Sequence, residues 1–545
     1  MKNRAYLILM LFLGFGTGLT SGWSIERVPV WDRFEVAFES QNSYENPLYD
    51  ITEFYALFRS PSGKKIRING FWDGGAKWKI RLMPDELGSW TYLTSCSDTL
   101  NKGMHGVAGS FECIENRSEL DLHAHGRVDR AMGSYHLNHE DGTPFFWQGC
   151  TAWNGGLKST EEEWEEYLGQ RSEHGYNVIQ LVGTQWRGCD KNSQGEVAFT
   201  GCGKITLNPG FFQHFDEKMN RVNAHGHVAG LVLLWALPFG PGTELSPGYY
   251  LPVREAIKLA RYMVARYGAH HVAWILGGDG RYVGELEDRW MHIGREVFKD
   301  KPQGLSMLHP HGRSWVGEIY GKESWYDMDG YQSSHGTGKR TVEFINKIIA
   351  EGWKLNPPKP VINLEPCYEQ IGNSIFEDDV RNACYWSVFA TPPGGITYGA
   401  DGIWPWIREG EKPLNHRYNP EVSTWDKAID LPGSIQVGFL GGFIREFEWW
   451  DLRPAQALLL EQPGNDNFRK HISVLKSLDN QTVLVYLPQK LELELRLPAG
   501  KHYHSRWFDA VEGRYTEATI QLSGNVLTAK SPLEKDAVLV LTADQ

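Results

Sequence analysis

The sequence predicts an α/β chain: a (β/α)8 TIM barrel flanked by N-terminal and C-terminal antiparallel β-sandwich domains. Three observations predict it. Over roughly 300 residues, eight short apolar runs alternate with helical patterns, the count and length of such a barrel. On either side of that region the apolar residues alternate with period two instead. Two of the central runs, residues 272–279 and 360–368, stay apolar until each meets a single acid, Asp279 or Glu365. An acid just past a strand buried on both faces stands where an α/β barrel keeps its chemistry.

Taken in order, the chain opens with Lys2 and Arg4, an apolar stretch over residues 5–15 and small residues through Gly22. This is the plan of an export signal, so residues 1–22 are expected to be a signal peptide and the mature protein to be secreted or periplasmic. No later apolar run approaches the roughly 20 residues of a membrane span, so none is expected in the mature chain. Residues 23–120 read as a small β-sandwich, with alternating segments at 33–39, 53–58, 77–82 and 88–93 separated by turn signals at 60–63 and 73–75. Such a module either binds sugar or buttresses its neighbour, and the buttress is the expectation.

The barrel is expected over residues 121–454. Its strands fall at 145–153, 176–182, 227–235, 271–276, 304–309, 328–332, 359–364 and 395–398. Helices fall at 159–168, 211–224, 253–267, 285–298, 341–351 and 378–390, the first opening on an N-cap followed by acids. Residues 455–545 return to strand alternation at 482–487, 491–497, 505–508 and 537–541, a C-terminal β-sandwich.

Composition narrows the partners. A net charge of -12 argues against nucleic acid or a polybasic membrane contact. Trp (22), Tyr (23) and Phe (24) are abundant; most serve cores, and several are expected to line a sugar site, because ring faces with polar edges suit sugars. Of seven cysteines, Cys189 and Cys202 flank a polar, Gly-rich loop and form the candidate disulfide, with Cys96 and Cys113 a weaker pair. Cys150, Cys367 and Cys384 sit in apolar runs as buried thiols. No spacing of Cys or His resembles a zinc site, and neither metal nor cofactor is expected.

Two carboxylates facing one pocket are the minimum equipment for breaking a glycosidic bond. Strands four and seven lie on opposite sides of an eight-stranded barrel, and retaining hydrolases place the two carboxyls about 5 to 5.5 Å apart. Environment then raises one pKa for proton donation and leaves the other acid ionised, and the residues alone leave the assignment open. The alternatives are a helix cap for Asp279 and a structural ion pair for Glu365. Other strand ends supply substrate-binding candidates: Trp153, Asn154, Gln185, Trp186, Arg187, Trp235, His309, His311, Tyr398, Trp404 and Trp406, with Ser334 and His335 after strand six. The partner is thus a polysaccharide or oligosaccharide. Competing readings are a non-catalytic carbohydrate-binding protein, and a polysaccharide lyase with Tyr282 or His309 as base.

These residues carry a resemblance. Gly70-Phe-Trp-Asp-Gly74 with Trp78, Arg81, Pro84 and Gly88 to Tyr92, the acid motifs ending in Asp279 and Glu365-Pro366, and the run from Trp507 to Gly513 are similar to those of apiosidase-like glycoside hydrolases. The resemblance implies an N-terminal immunoglobulin-like domain, an α/β barrel and a C-terminal β-sandwich named for collagen binding. It also implies Asp279 as acid/base and Glu365 as nucleophile of a retaining mechanism on plant (pectic) or algal polysaccharide. Ala510 replaces the usual proline of the C-terminal hairpin. The insertion between Cys189 and Cys202 lies on the active-site face and bears on preference for substrates other than apiose-bearing pectic side chains.

Overall fold

The structure is a computed structural model that describes residues 25–416 and 422–544; the expected signal peptide lies outside them. The apolar runs form eight parallel strands: β1 (Trp147–Thr151), β2 (Val178–Val182), β3 (Val228–Trp235), β4 (Val272–Gly278), β5 (Ser306–Met307), β6 (Asp329–Gln332), β7 (Val361–Glu365) and β8 (Pro393–Tyr398). Neighbours run β5-β4-β3-β2-β1-β8-β7-β6, every ladder parallel. No ladder joins β5 to β6. There the ring is closed by Asp327, whose N–H donates to the Ser306 carbonyl (2.9 Å) while its carboxylate accepts the Ser306 N–H (2.9 Å). Each strand is buried along its whole length, which is why the runs carry no alternation.

The surrounding helices include α1 (Glu161–Glu173), α2 (Pro209–Ala224), α3 (Val253–Tyr267), α4 (Glu287–Val297), α5 (Glu377–Ala390) and α6 (Pro432–Ile444). A capping box opens α1: Thr160 accepts the Glu163 N–H, and the Glu163 carboxylate accepts the Thr160 N–H. The helix expected over 341–351 is broken into an α turn (Lys339–Glu343), a π turn (Phe344–Ile348) and a 3-10 stretch (Ile349–Lys354). Across this broken segment Ile345 joins the main barrel core, whereas Phe344 and Ile349 pack with Tyr331 and Val361 in a separate cluster. Helix α6 has no counterpart in the sequence reading. It is apolar nearly all round and rich in glycine, so it shows neither amphipathic period nor helix propensity. Packing explains Gly438, where a Cβ would lie 2.3 Å from the His174 carbonyl oxygen.

Ahead of the barrel, a five-stranded sheet and a three-stranded sheet enclose Phe34, Phe54, Phe58, Trp78, Trp90 and Phe111. Only the pairing of Arg27–Pro29 with Ala108–Ile114 is parallel. After it, a six-stranded and a three-stranded antiparallel sheet enclose a core that includes Trp507. Cys96 and Cys113 are unbonded: Gly88 pairs with Cys113 in the ladder, leaving Cys96 at the far end of the same strand. Among the described residues no helix is long and apolar enough to cross a membrane.

Candidate active site

Glu365 is the last residue of β7, and two imidazoles hold it. His335 Nε2 lies 2.9 Å from one carboxylate oxygen and His309 Nε2 3.3 Å from the other. Both rings are oriented from behind by the main chain. His309 Nδ1 accepts the Asp279 N–H (2.9 Å), and His335 Nδ1 accepts the Tyr368 N–H (3.3 Å). A ring nitrogen that accepts a hydrogen bond carries no proton, so each imidazole carries its proton on Nε2, the nitrogen nearer Glu365; the His309 contact is a close approach without hydrogen-bond geometry. Burial pushes the Glu365 carboxyl upward, but the two histidines outweigh it and hold the group well below the usual carboxylate range.

Asp279 follows Gly277 and Gly278 at the end of β4 and adopts a left-handed backbone, φ 50°. It caps no helix: the next helical turn begins at Gly284 and α4 at Glu287. Burial, then the charge of Glu365, push the Asp279 carboxyl up to about 7, against smaller opposing effects of His309, Arg187 and His335. Near neutral pH one cavity therefore holds one protonated and one ionised acid, the complement that general acid and nucleophilic chemistry require.

That cavity measures about 790 Å³ and is walled by Trp153, Trp186, Trp235, Trp404, Phe239 and Tyr368. The rings brace one another. Trp186 and Trp235 centroids are 4.1 Å apart, and the Trp153 indole donates to the Tyr368 hydroxyl at 2.8 Å. The buried indole N–H groups of Trp235 and Trp404 have no hydrogen-bond partner among the described residues. Phe239 is 55% exposed, an unusual setting for a phenyl ring and one suited to a sugar face.

Of the residues singled out in the sequence, Asp279, Glu365, Trp153, Trp186, Arg187, Trp235, His311, Ser334, His335 and Trp404 line this cavity. His309 is fully buried behind Glu365. Four candidates do not line it, because their polar atoms are used in bracing loops. Asn154 donates to the Gly188 carbonyl and accepts the Trp186 indole N–H, each at 2.8 Å. Gln185 binds Phe199 and Ala198, Tyr398 donates to Glu369, and Trp406 donates to Glu163 while stacking on Trp425. Cys189 and Cys202 are not bonded. The Cys189 thiol is buried against the Lys191 carbonyl, whereas Cys202 is exposed near the Tyr250 carbonyl. Sequence reasoning passed over Phe239, Arg313, Gln332, Ile371, Asn415 and His416, which also line the site. Gln332 ends β6 and was open to the strand-end argument; Asn415 and His416 sit in a long loop with no periodic signal.

The family model described as "Apiosidase-like, catalytic domain" matches residues 131–451, more than half of the chain. The chain belongs to the apiosidase-like family. A second model, a domain of unknown function (DUF5060), matches residues 27–97. A search of curated proteins returns no match. Among solved structures, one described as a glycoside hydrolase covers 78% of this chain and 98% of its own, at 24% identity and TM-score 0.66. A glycoside hydrolase family 5 protein from Bacteroides vulgatus covers 78% and 95%, at 22% identity and TM-score 0.67. A third, also from Bacteroides vulgatus, covers 95% and 100%, at 19% identity and TM-score 0.68. At such identities the likeness establishes a shared fold. Family membership together with that fold makes this apiosidase-like protein glycoside hydrolase-like.

Proposed function

We propose that this apiosidase-like protein is an exported, retaining glycoside hydrolase that cleaves a glycosidic bond in plant (pectic) or algal polysaccharide. The observation that carries the reading is the opposite displacement of two carboxyls in one aromatic-walled cavity. Asp279, protonated near neutrality, gives its proton to the leaving glycosidic oxygen. Glu365, ionised, attacks the anomeric carbon as the bond to that oxygen breaks, forming a glycosyl ester. Asp279, now a carboxylate, takes a proton from water, which displaces Glu365 and releases the sugar.

An ionised Glu365 beside a protonated Asp279 supplies the nucleophile and the acid that retention requires. The indole rings of Trp235 and Trp404 line the cavity and offer apolar faces to a sugar ring. Neither base that the sequence offers to a lyase mechanism, Tyr282 or His309, lines the cavity. Tyr282 is fully buried, its phenol pushed well above its ordinary range first by burial, and the Nδ1 lone pair of His309 is engaged by the Asp279 N–H. A non-catalytic binding module would leave the two displaced acids unexplained.

The test is product release from a panel of pectic and algal polysaccharides by wild type, Asp279→Ala and Glu365→Ala. Wild-type release that both substitutions abolish is expected. On a substrate with a poor leaving group Asp279→Asn should cost about 10²–10⁴-fold in kcat, and far less on an activated aryl glycoside. Activity surviving Glu365→Ala would discard the assignment.

A further inference from the structure

A second cavity, about 600 Å³, lies between the N-terminal sheets and helices α3 and α4, and shares no lining residue with the catalytic cavity. Its floor is aromatic: Phe71, Trp78 and Tyr262 are buried, and Trp72 is partly exposed. Its rim is cationic. Arg67, Arg254, Lys258, Arg261 and Lys299 stand around it against the carboxylates of Glu53 and Glu296, in a chain whose net charge is -12. Four of these cations are already paired, with Glu53, Glu255, Asp300 and Glu296 respectively.

Lys258 differs. It makes no ion pair within 4 Å among the described residues; its ammonium sits 3.3 Å from the Leu48 carbonyl and 4.5 Å from the centre of the Tyr49 ring. An ammonium with no ion-pair partner, at the rim of a cleft floored by aromatic rings, matches a sugar ring that carries an anionic group.

We propose that this cleft binds an acidic saccharide, a uronate-bearing segment whose ring lies against the aromatic floor and whose carboxylate meets Lys258. The choice of a saccharide over another anion rests on the hydrolase reading, while the cationic rim stands apart from it. The N-terminal sheets would then hold polymer as well as buttress the barrel.

Calorimetry on the full chain carrying Glu365→Gln tests binding without turnover, so its failure is distinct from failure of the hydrolase assay. The probes are hexagalacturonate, its carboxyl-reduced counterpart and a sulfated galactan oligomer. Hexagalacturonate is expected to bind, and adding Lys258→Met should weaken it about tenfold with an unchanged melting temperature, while Lys258→Arg retains it. The reduced hexamer should bind more weakly by a similar factor. The proposal is overturned if Lys258→Met binds as tightly as its parent, if the reduced hexamer equals the acidic one, or if the sulfated oligomer is preferred. It is also overturned if no hexamer binds, or if Trp404→Ala, in the catalytic cavity, removes the binding while Lys258→Met does not.

Discussion

Two backbone N–H groups decide which acid carries charge. By occupying Nδ1 of His309 and His335, the amides of Asp279 and Tyr368 put both imidazole protons on Nε2, the nitrogen nearer Glu365. Burial, then the ionised Glu365, raises Asp279 to about 7. The proposed mechanism needs Asp279 protonated and Glu365 ionised, so activity should fall as pH rises through about 7 and persist well into the acid range. His335→Ala removes one donor, which should move the acid limb of kcat/KM upward by about one pH unit, and, because His335 also holds Asp279 down, should leave the alkaline limit in place or raise it. An unmoved acid limb would show that His335 does not set the charge of Glu365. At this scale the two acids were legible because each ends an apolar run. The histidines were legible only as polar strand ends: their tautomer depends on amides 30 and 33 residues away, which no local pattern reports.

The end of β4 is shaped by what packs on it. A Cβ on Gly278 would lie 2.6 Å from a ring carbon of Trp235, and one on Gly277 would lie 2.5 Å from the Tyr282 hydroxyl. The paired glycines thus let a tryptophan wall stand directly against the strand that delivers Asp279. Gly278→Ala must displace Trp235 or the strand. A cost of about 1–3 kcal/mol in urea unfolding is expected, with kcat/KM falling further than that loss of stability accounts for. Full activity in this variant would mean that the position of Trp235 is immaterial. Strong periodicity made most barrel helices legible, α3 to its observed limits, whereas the glycine-rich α6 and the π turn before β7 gave no such signal.

At the scale of the molecule, the alternating strands on either side of the barrel were legible, but their attachment was not, because it rests on charged residues far apart in sequence. Arg81 of the N-terminal sheets donates to Glu35 (2.6 Å), to Asp216 of α2 (2.7 Å) and to the Arg266 carbonyl of α3 (2.9 Å). Arg266 reaches Asp216 at 2.7 Å and Asp73 at 2.8 Å, and Lys79 joins Glu35 to Asp73. The joint is therefore a network of three cations and three carboxylates, largely removed from water. Burial pushes Asp216 upward, but the guanidiniums of Arg81 and Arg266 prevail and bring it down to about 2. A carboxyl depressed in this way stabilises the fold above its unfolded pKa, and that stabilisation disappears as pH falls from about 4 to about 2. Arg81→Met should cost about 3–5 kcal/mol at neutral pH, since it strands carboxylates that stay buried. Asp216→Asn in the same background should return part of that loss, because the stranded charge is gone. Urea unfolding of the two single variants and the double variant measures the coupling. Additive losses would mean that the network contributes little beyond its separate contacts, and that the aromatic floor shared by Phe71, Trp72 and Tyr262 holds the N-terminal sheets to the barrel.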